Sequence, residues 1–300
     1  MSGVEHALPA HRPAAIPYGL NSETGVLRHV LLGAPDHFAW RPVSAVARQT
    51  LSEGRSFDKA VALTQHGEMV AAYEAAGVTC HYLPARPHNA YAVFARDSSF
   101  MTPWGAVITM IQTPYRRGDY ALALEFYERM GIPVWKMVTA GHFEGGDLHI
   151  VKPGLVFCGY GGERSEASGA EEVAGWFRAM GWEAHAVPFP PYFVHLDVSF
   201  AMAAPSLAAV CEDALPDWFL TVLAEHQIRT LPVSYREAMS LGCNIVALGD
   251  GRVLSTRNNT ELNAKMKAEG LTVYDPDLSL FTLGGGGPHC LCQGLHRDPL

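Results

Sequence analysis

The sequence predicts an α/β fold built from five strand-strand-helix-strand units, on three observations. A 300-residue chain that is 48% hydrophobic and only 17% charged buries a sizeable core. Apolar runs of strand length alternate with periodic segments of helix length. The helical segments end at Gly77, Gly131, Gly181 and Gly270, with Gln227 in the fourth slot, at intervals of 54, 50, 46 and 43 residues. One unit cannot bury its own sheet face, so five would close into a pseudo-symmetric array around an axis. An ordinary mixed α/β domain fits the same repeat, and the repeat alone leaves both open.

The elements follow in order. A strand at residues 26–32 precedes a long loop, 33–55, and then a helix carrying Phe57, Val61, Met69 and Tyr73 at multiples of four. The strand 78–83 completes the first unit. The second has a strand at 106–111, a helix at 120–130 and a strand at 132–137. The third opens with a hairpin, 148–151 and 155–158, around Lys152-Pro153-Gly154, then a helix near 171–180 and a strand at 184–187. Strands 198–202 and 207–211, a helix at 218–226 and a strand at 228–233 make the fourth. The last has strands 244–248 and 252–254 around Gly249-Asp250-Gly251, a helix at 260–269 and a strand at 271–274. No linker or low-complexity tract interrupts this order, so residues 25–300 read as one domain behind an irregular tail, residues 1–24.

Composition narrows the partners. The net charge of −8 and the lack of any basic cluster longer than Arg116-Arg117 argue against nucleic acid or an anionic membrane, and are compatible with a small cationic substrate. No apolar run approaches the roughly 20 residues that span a bilayer, and the first 24 residues lack the apolar core of a secretory signal. Six scattered cysteines with no Cys-x-x-Cys pair suggest reduced thiols in a cytoplasm. Fourteen histidines show no metal-ligand spacing, and no organic cofactor motif is present, so neither metal nor cofactor is expected. A homo-oligomer is left open.

Four polar clusters fall at equivalent places, at or just before the first strand of a unit or where the chain returns to the axis. They are Phe94-Ala95-Arg96-Asp97, Phe143-Glu144-Gly145-Gly146-Asp147, His195-Leu196-Asp197, and Gly284 to Gly287 followed by Pro288-His289-Cys290. In a ring of units such positions converge on one axis, so residues far apart in sequence would share one pocket. An extended backbone would put His195 and Asp197 on one face and Leu196 on the other. Four consecutive glycines are entropically costly unless the chain passes close to something. Each cluster alone also fits a blander origin: a structural His-Asp pair, a solvated acidic turn, a local Arg96-Asp97 ion pair, a buried inert cysteine.

Phe-x-Arg-Asp, Glu-Gly-Gly-Asp, His-x-Asp and a terminal Gly-Gly-Gly-x-His-Cys, in this order, resemble the guanidine-modifying superfamily with the pentein fold, over residues 25–297. That superfamily includes arginine deiminases, dimethylarginine dimethylaminohydrolases, agmatine deiminases and amidinotransferases. The resemblance implies a five-bladed α/β propeller. It implies that Cys290 is the nucleophile, His195 the acid/base and Glu144 the acid that holds the histidine or substrate. Asp97 and Asp197 would clamp the guanidinium, which two carboxylates can bind bidentately. Arg164, in Gly161-Gly162-Glu163-Arg164, resembles the arginine that pairs with a substrate carboxylate, although Ser165-Glu166 stand where the family often has Thr-Asn. Arg116 or Arg117 could serve the same purpose.

The implied reaction is attack of the Cys290 thiolate on the guanidinium carbon, loss of an amine protonated by His195, and hydrolysis of the thiouronium. The near absence of insertions resembles the dimethylarginine dimethylaminohydrolases, which favours hydrolysis of arginine or an Nω-substituted arginine to citrulline. An amidinotransferase, or a non-catalytic binding protein with the same fold, are the alternatives. The 33–55 loop, with Phe38, Trp40 and Arg41, is expected to act as a lid.

Overall fold

The computed structural model describes residues 15–161 and 163–300. Residues 1–14 of the expected tail, and Gly162 of the Arg164 motif, lie outside them. Fifteen strands among the described residues form five three-stranded sheets. They are β1 (Leu27–Leu32), β2 (Thr79–Tyr82), β3 (Ser99–Thr102), β4 (Gly105–Ile108), β5 (Val134–Met137), β6 (Leu148–Lys152), β7 (Leu155–Tyr160) and β8 (Glu183–Pro188). After them come β9 (Phe200–Ala204), β10 (Leu207–Val210), β11 (Arg229–Pro232), β12 (Val246–Gly249), β13 (Arg252–Leu254), β14 (Thr272–Tyr274) and β15 (Cys292–Arg297). The helices are α1 (Ala45–Ser52), α2 (Lys59–Ala75), α3 (Asp119–Met130), α4 (Ala167–Ala179), α5 (Asp217–Glu225), α6 (Tyr235–Met239), α7 (Thr260–Ala268) and α8 (Ser279–Thr282).

Every sheet repeats one plan. The middle strand (β1, β4, β7, β10 or β13) pairs antiparallel with an inner strand and parallel with an outer one. A parallel step requires a crossover, and α2, α3, α4, α5 and α7 supply it. The first unit has no inner strand of its own in sequence order. The C-terminal β15 takes that place, Leu32 facing Cys292, and ties the two ends of the chain together. The result is a five-fold pseudo-symmetric α/β propeller, the closed array rather than an ordinary mixed domain.

Burial follows from this plan. Residues of β3, β9 and β12 are almost all buried, whereas the outer β2 and β5 are largely exposed, so inner strands surround the axis and outer ones form the rim. Inner strands of neighbouring sheets touch, β15 against β3 and β9 against β12. Between sheets and helices lie fully buried aromatics such as Phe126, Phe157, Phe177 and Phe219, each worth about 1.5–3 kcal/mol of burial. No helix among the described residues is long and apolar enough to cross a membrane.

The helix stops match the expectation closely: Gly77, Gly131, Gly181 and Gly270 all have positive φ, and Gln227 adopts the same left-handed conformation at φ 60°. Several elements differ. The expected 33–55 loop contains α1, started by Ser44, whose Oγ accepts from the Ala47 N–H at 3.1 Å. In α2 the row at multiples of four does not stay buried: Met69 and Tyr73 are covered but Val61 is 43% exposed. A helix has 3.6 residues per turn, so steps of four drift around the axis, and Ala62, Gln65 and His66 face the core instead. Helix α4 starts at Ala167, one turn before the expected 171, because Ala-Ser-Gly-Ala carries no large apolar side chain to signal it. Leu196–Val198 is a 3-10 turn with only His195 extended, not a continuous extended run.

Candidate active site

In each sheet the chain enters the inner strand through a turn, and every turn delivers polar side chains to the same end of the axis. Residues 95–98 precede β3 and carry Asp97. Residues 145–147, preceded by Glu144, lead into β6 and carry Asp147. Residues 196–198, preceded by His195, lead into β9 and carry Asp197. Asn244 stands two residues before β12, and His289 and Cys290 stand just before β15. All of these are buried, none more than 5% exposed. Asp97, His195, Cys290, Arg116 and Arg164 line one small cavity, roofed by Val43, Ser44, Gly284 and Gly285.

The histidine is held from one side. His195 Nε2 lies 3.0 Å from Glu144 Oε2, which also accepts from Arg164 Nη1 at 3.0 Å, and Glu144 Oε1 accepts from the Gln112 N–H at 3.2 Å. Burial would raise the Glu144 pKa, but Arg164, His195 and Arg116 outweigh it and hold the group well below the usual carboxylate range. Burial likewise opposes a charge on His195, yet Asp147, Asp97 and Glu144 raise its pKa to about 9. The imidazolium thus presents Nδ1, which has no hydrogen-bond partner and lies 3.7 Å from Asp97 Oδ1. A Cβ on Gly146 would sit 2.6 Å from that nitrogen, so the second glycine of Glu-Gly-Gly-Asp makes room for the ring. Asp147 Oδ1 accepts from the Leu196 N–H at 2.7 Å and so fixes the backbone beside the histidine.

Asp97 lines the cavity and Asp197 lies against Cys290, each with one carboxylate oxygen free. Asp97 Oδ2 accepts from Arg116 Nη1, and Asp197 Oδ2 accepts from His289 Nδ1 at 2.8 Å, while Asp97 Oδ1 and Asp197 Oδ1 have no partner. Burial pushes the Asp197 pKa up, but the His289 hydrogen bond overrides it and brings the value to about 2. His289 is lowered to about 4 by burial and Arg96, so its ring is neutral with the proton on Nδ1. Cys290 Sγ lies 3.5 Å from Asp197 Oδ2, and burial with the Asp197 and Asp97 charges pushes its thiol far above the ordinary value.

The three sequence-designated arginines separate. Arg116 is buried, bridging Asp97 and, at 2.9 Å, Asp119, and donates to the Phe94 carbonyl at 3.2 Å. Arg164 lines the cavity and donates to the Val43 carbonyl at 3.0 Å, tying the roof to the acid/base pair. Arg117 is a correction: it is exposed, donates to the Gln112 carbonyl at 3.3 Å and does not line the cavity, because the turn at 114–116 aims only Arg116 inward. Arg96 does not pair with Asp97 as a local ion pair; its Nε donates to the His289 carbonyl at 3.3 Å.

Asn244 escaped the sequence reading, although the equivalence of strand entries pointed to it: four of the five turns had been identified, and Asn244 occupies the fifth. Two groups of side chains bring candidate metal-ligand atoms within 4.8 Å of one another, Asp97-Glu144-His195 and Glu23-His149-His289. In the first, Arg116 and Arg164 already occupy the carboxylates, and the charges of Arg96 and Arg297 reach Glu23 in the second, which disfavours a divalent cation at either.

Comparison with known proteins places this geometry. The family described as N,N dimethylarginine dimethylhydrolase, eukaryotic, matches residues 34–297. The uncharacterised protein YkgA of Bacillus subtilis is 26% identical over 279 residues, covering 92% of this chain and 94% of its own. An arginine deiminase of Rhodococcus jostii is 30% identical over 249 residues, but these span 69% of this chain and 60% of the deiminase. Among solved structures, the N-terminal domain of ArgZ, a cyanobacterial arginine dihydrolase bound to product, superposes with a TM-score of 0.77 at 19% identity, covering 90% of this chain and 98% of that one. A cysteine-to-serine variant of the Pseudomonas aeruginosa dimethylarginine dimethylaminohydrolase, complexed with citrulline, gives 0.74 at 20% identity over 89% and 99%. With a propeller of five strand-strand-helix-strand units and a family match across all but its N-terminal segment, the chain belongs to the N,N dimethylarginine dimethylhydrolase family of the pentein superfamily.

Proposed function

We propose that this protein hydrolyses the guanidinium carbon of arginine or an Nω-substituted arginine, giving citrulline and an amine through a thiouronium on Cys290. The observation that carries the reading is the pair of buried, donorless carboxylate oxygens, Asp97 Oδ1 and Asp197 Oδ1, beside the cysteine. Leaving such oxygens unpaired costs about 1–3 kcal/mol or more each, and a planar cation with N–H groups on both terminal nitrogens relieves both.

The bound cation offsets the two aspartates, and the Cys290 proton leaves to water. Sγ then bonds to the guanidinium carbon, the departing nitrogen takes the His195 proton, and the C–N bond breaks to release the amine. Water next gives a proton to His195 while its oxygen bonds to the same carbon. The C–S bond breaks, returning the thiolate, and the remaining hydroxyl proton leaves to water, giving the urea group of citrulline. Glu144 keeps the ring oriented through both halves. Arg164, lining the same cavity, supplies positive charge for a substrate carboxylate, while Arg116 stays bound to Asp97 and Asp119. An amidinotransferase would need a second amine beside the thiouronium, and a cavity roofed by Val43 and Ser44 favours water.

A panel of arginine, monomethylarginine, asymmetric dimethylarginine, agmatine and guanidino acids, scored for ureido product and released amine, tests this. Ureido product from arginine or a methylarginine is expected. Product that appears only when an amine acceptor is added would overturn hydrolysis in favour of transfer.

A further inference from the structure

Asn244 occupies the one strand-entry turn to which the reaction above assigns nothing. It is fully buried, and its amide is spanned by the nucleophile's own backbone: Oδ1 accepts from the N–H groups of His289 at 3.0 Å and Cys290 at 3.3 Å. Two backbone donors on one atom fix which end is oxygen, so Nδ2 must face the other way. It donates to Cys290 Sγ at 3.2 Å, with the Asp197 carbonyl at 3.4 Å as a second acceptor. The glycine run is shaped around this side chain, since a Cβ on Gly287 would lie 2.6 Å from Asn244 Oδ1.

We propose that Asn244 is a catalytic residue, a side-chain N–H donor that, beside the Gly287 backbone, holds and stabilises the Cys290 sulfur as a nucleophile in a site whose neighbouring side chains are carboxylates. The proposal rests on Cys290 being the reactive cysteine. Asp197 and Asp97 oppose negative charge on the sulfur, and burial removes water that would solvate it. Asn244 Nδ2 is the side-chain N–H donor within hydrogen-bond distance of Sγ among the described residues. Its backbone contacts set the sulfur's position, and its donor strengthens as the charge forms.

Asn244→Asp separates the two halves of the amide. One carboxylate oxygen still accepts from the His289 and Cys290 N–H groups, while the other removes the donor facing Sγ. The readout is alkylation of Cys290 by iodoacetamide between pH 6 and 10, followed by peptide mass spectrometry and needing no substrate. A loss of roughly 10–100-fold in rate across that range, which lies below the raised thiol pKa, with the melting temperature near wild type, is expected. Asn244→Ala, which adds no charge, should show the same direction and serves if the aspartate variant does not fold. A wild-type alkylation rate in either folded variant would overturn the proposal. A wild-type protein inactive on every guanidino compound would defeat the substrate assignment and leave this measurement standing.

Discussion

Asp197→Asn should move two rates in opposite directions. The carboxylate lies 3.5 Å from Cys290 Sγ, and Asp197 holds a pKa of about 2, so it is charged throughout the working range. At that distance, with an effective dielectric constant of about 20, its repulsion of a thiolate amounts to roughly 4–5 kcal/mol, or about three pKa units. Removing the charge should therefore lower the thiol pKa and raise Cys290 alkylation by iodoacetamide at pH 7 at least ~10-fold. The asparagine oxygen can still accept from His289 Nδ1, so the local fold is kept. Yet the same change takes away one charge-assisted acceptor for a guanidinium, worth about 1.5–3 kcal/mol, so kcat/KM should fall roughly 10- to 150-fold. Steady-state assay of ureido product and timed alkylation on one preparation check both. Wild-type kcat/KM would remove Asp197 from the clamp, and unchanged or slower alkylation would refute the electrostatic argument for the sulfur.

Cys290→Ser should abolish turnover with the fold intact, whereas Cys292→Ser, the first residue of β15 and directed at the His289 carbonyl, should keep most activity; equal loss in both would undo the assignment. His195 must be protonated to expel the amine, and its pKa is raised to about 9, so kcat/KM should fall as pH climbs through about 9. In Glu144→Gln that alkaline limb should move to lower pH, because a carboxylate that favours the imidazolium is gone; an unmoved limb would assign it to another group. Arg116→Ala leaves Asp97 and Asp119 buried without their cation, at a cost of about 3–5 kcal/mol, and should lower Tm by roughly 5–8 °C. Exposed Arg117→Ala should leave Tm and kcat/KM at wild-type values, and a loss there would return Arg117 to the site.

Much of the architecture was readable in the chain because it is written in local signals. The left-handed stops at Gly77, Gly131, Gly181 and Gly270 mark helix ends through backbone sterics alone, and their spacing exposes the five-fold repeat. Helix α4 escaped in part because its first turn is made of small residues whose role is close approach: a Cβ on Gly169 would lie 2.3 Å from the His142 carbonyl. Strand β15 carries no repeat signal of its own, since its partner β1 lies more than 250 residues earlier.

For the site, residue types and their equivalent positions were enough to bring Asp97, Glu144, His195, Asp197 and Cys290 to one axis. What they could not convey is which atom faces which. That Arg116 turns inward while its neighbour Arg117 stays in solvent depends on one short turn, and that Glu144 shares its Oε2 between His195 and Arg164 depends on two neighbouring blades meeting. Asn244 is the plainest case: an asparagine two residues before a strand looks like any loop residue in the sequence. Only closure of the ring, which carries β12 beside the returning chain at 287–290, turns its amide into a bridge between the nucleophile's backbone and its sulfur. Local sterics and periodicity are properties of short stretches, whereas hydrogen-bond partners hundreds of residues apart exist only once the core has packed.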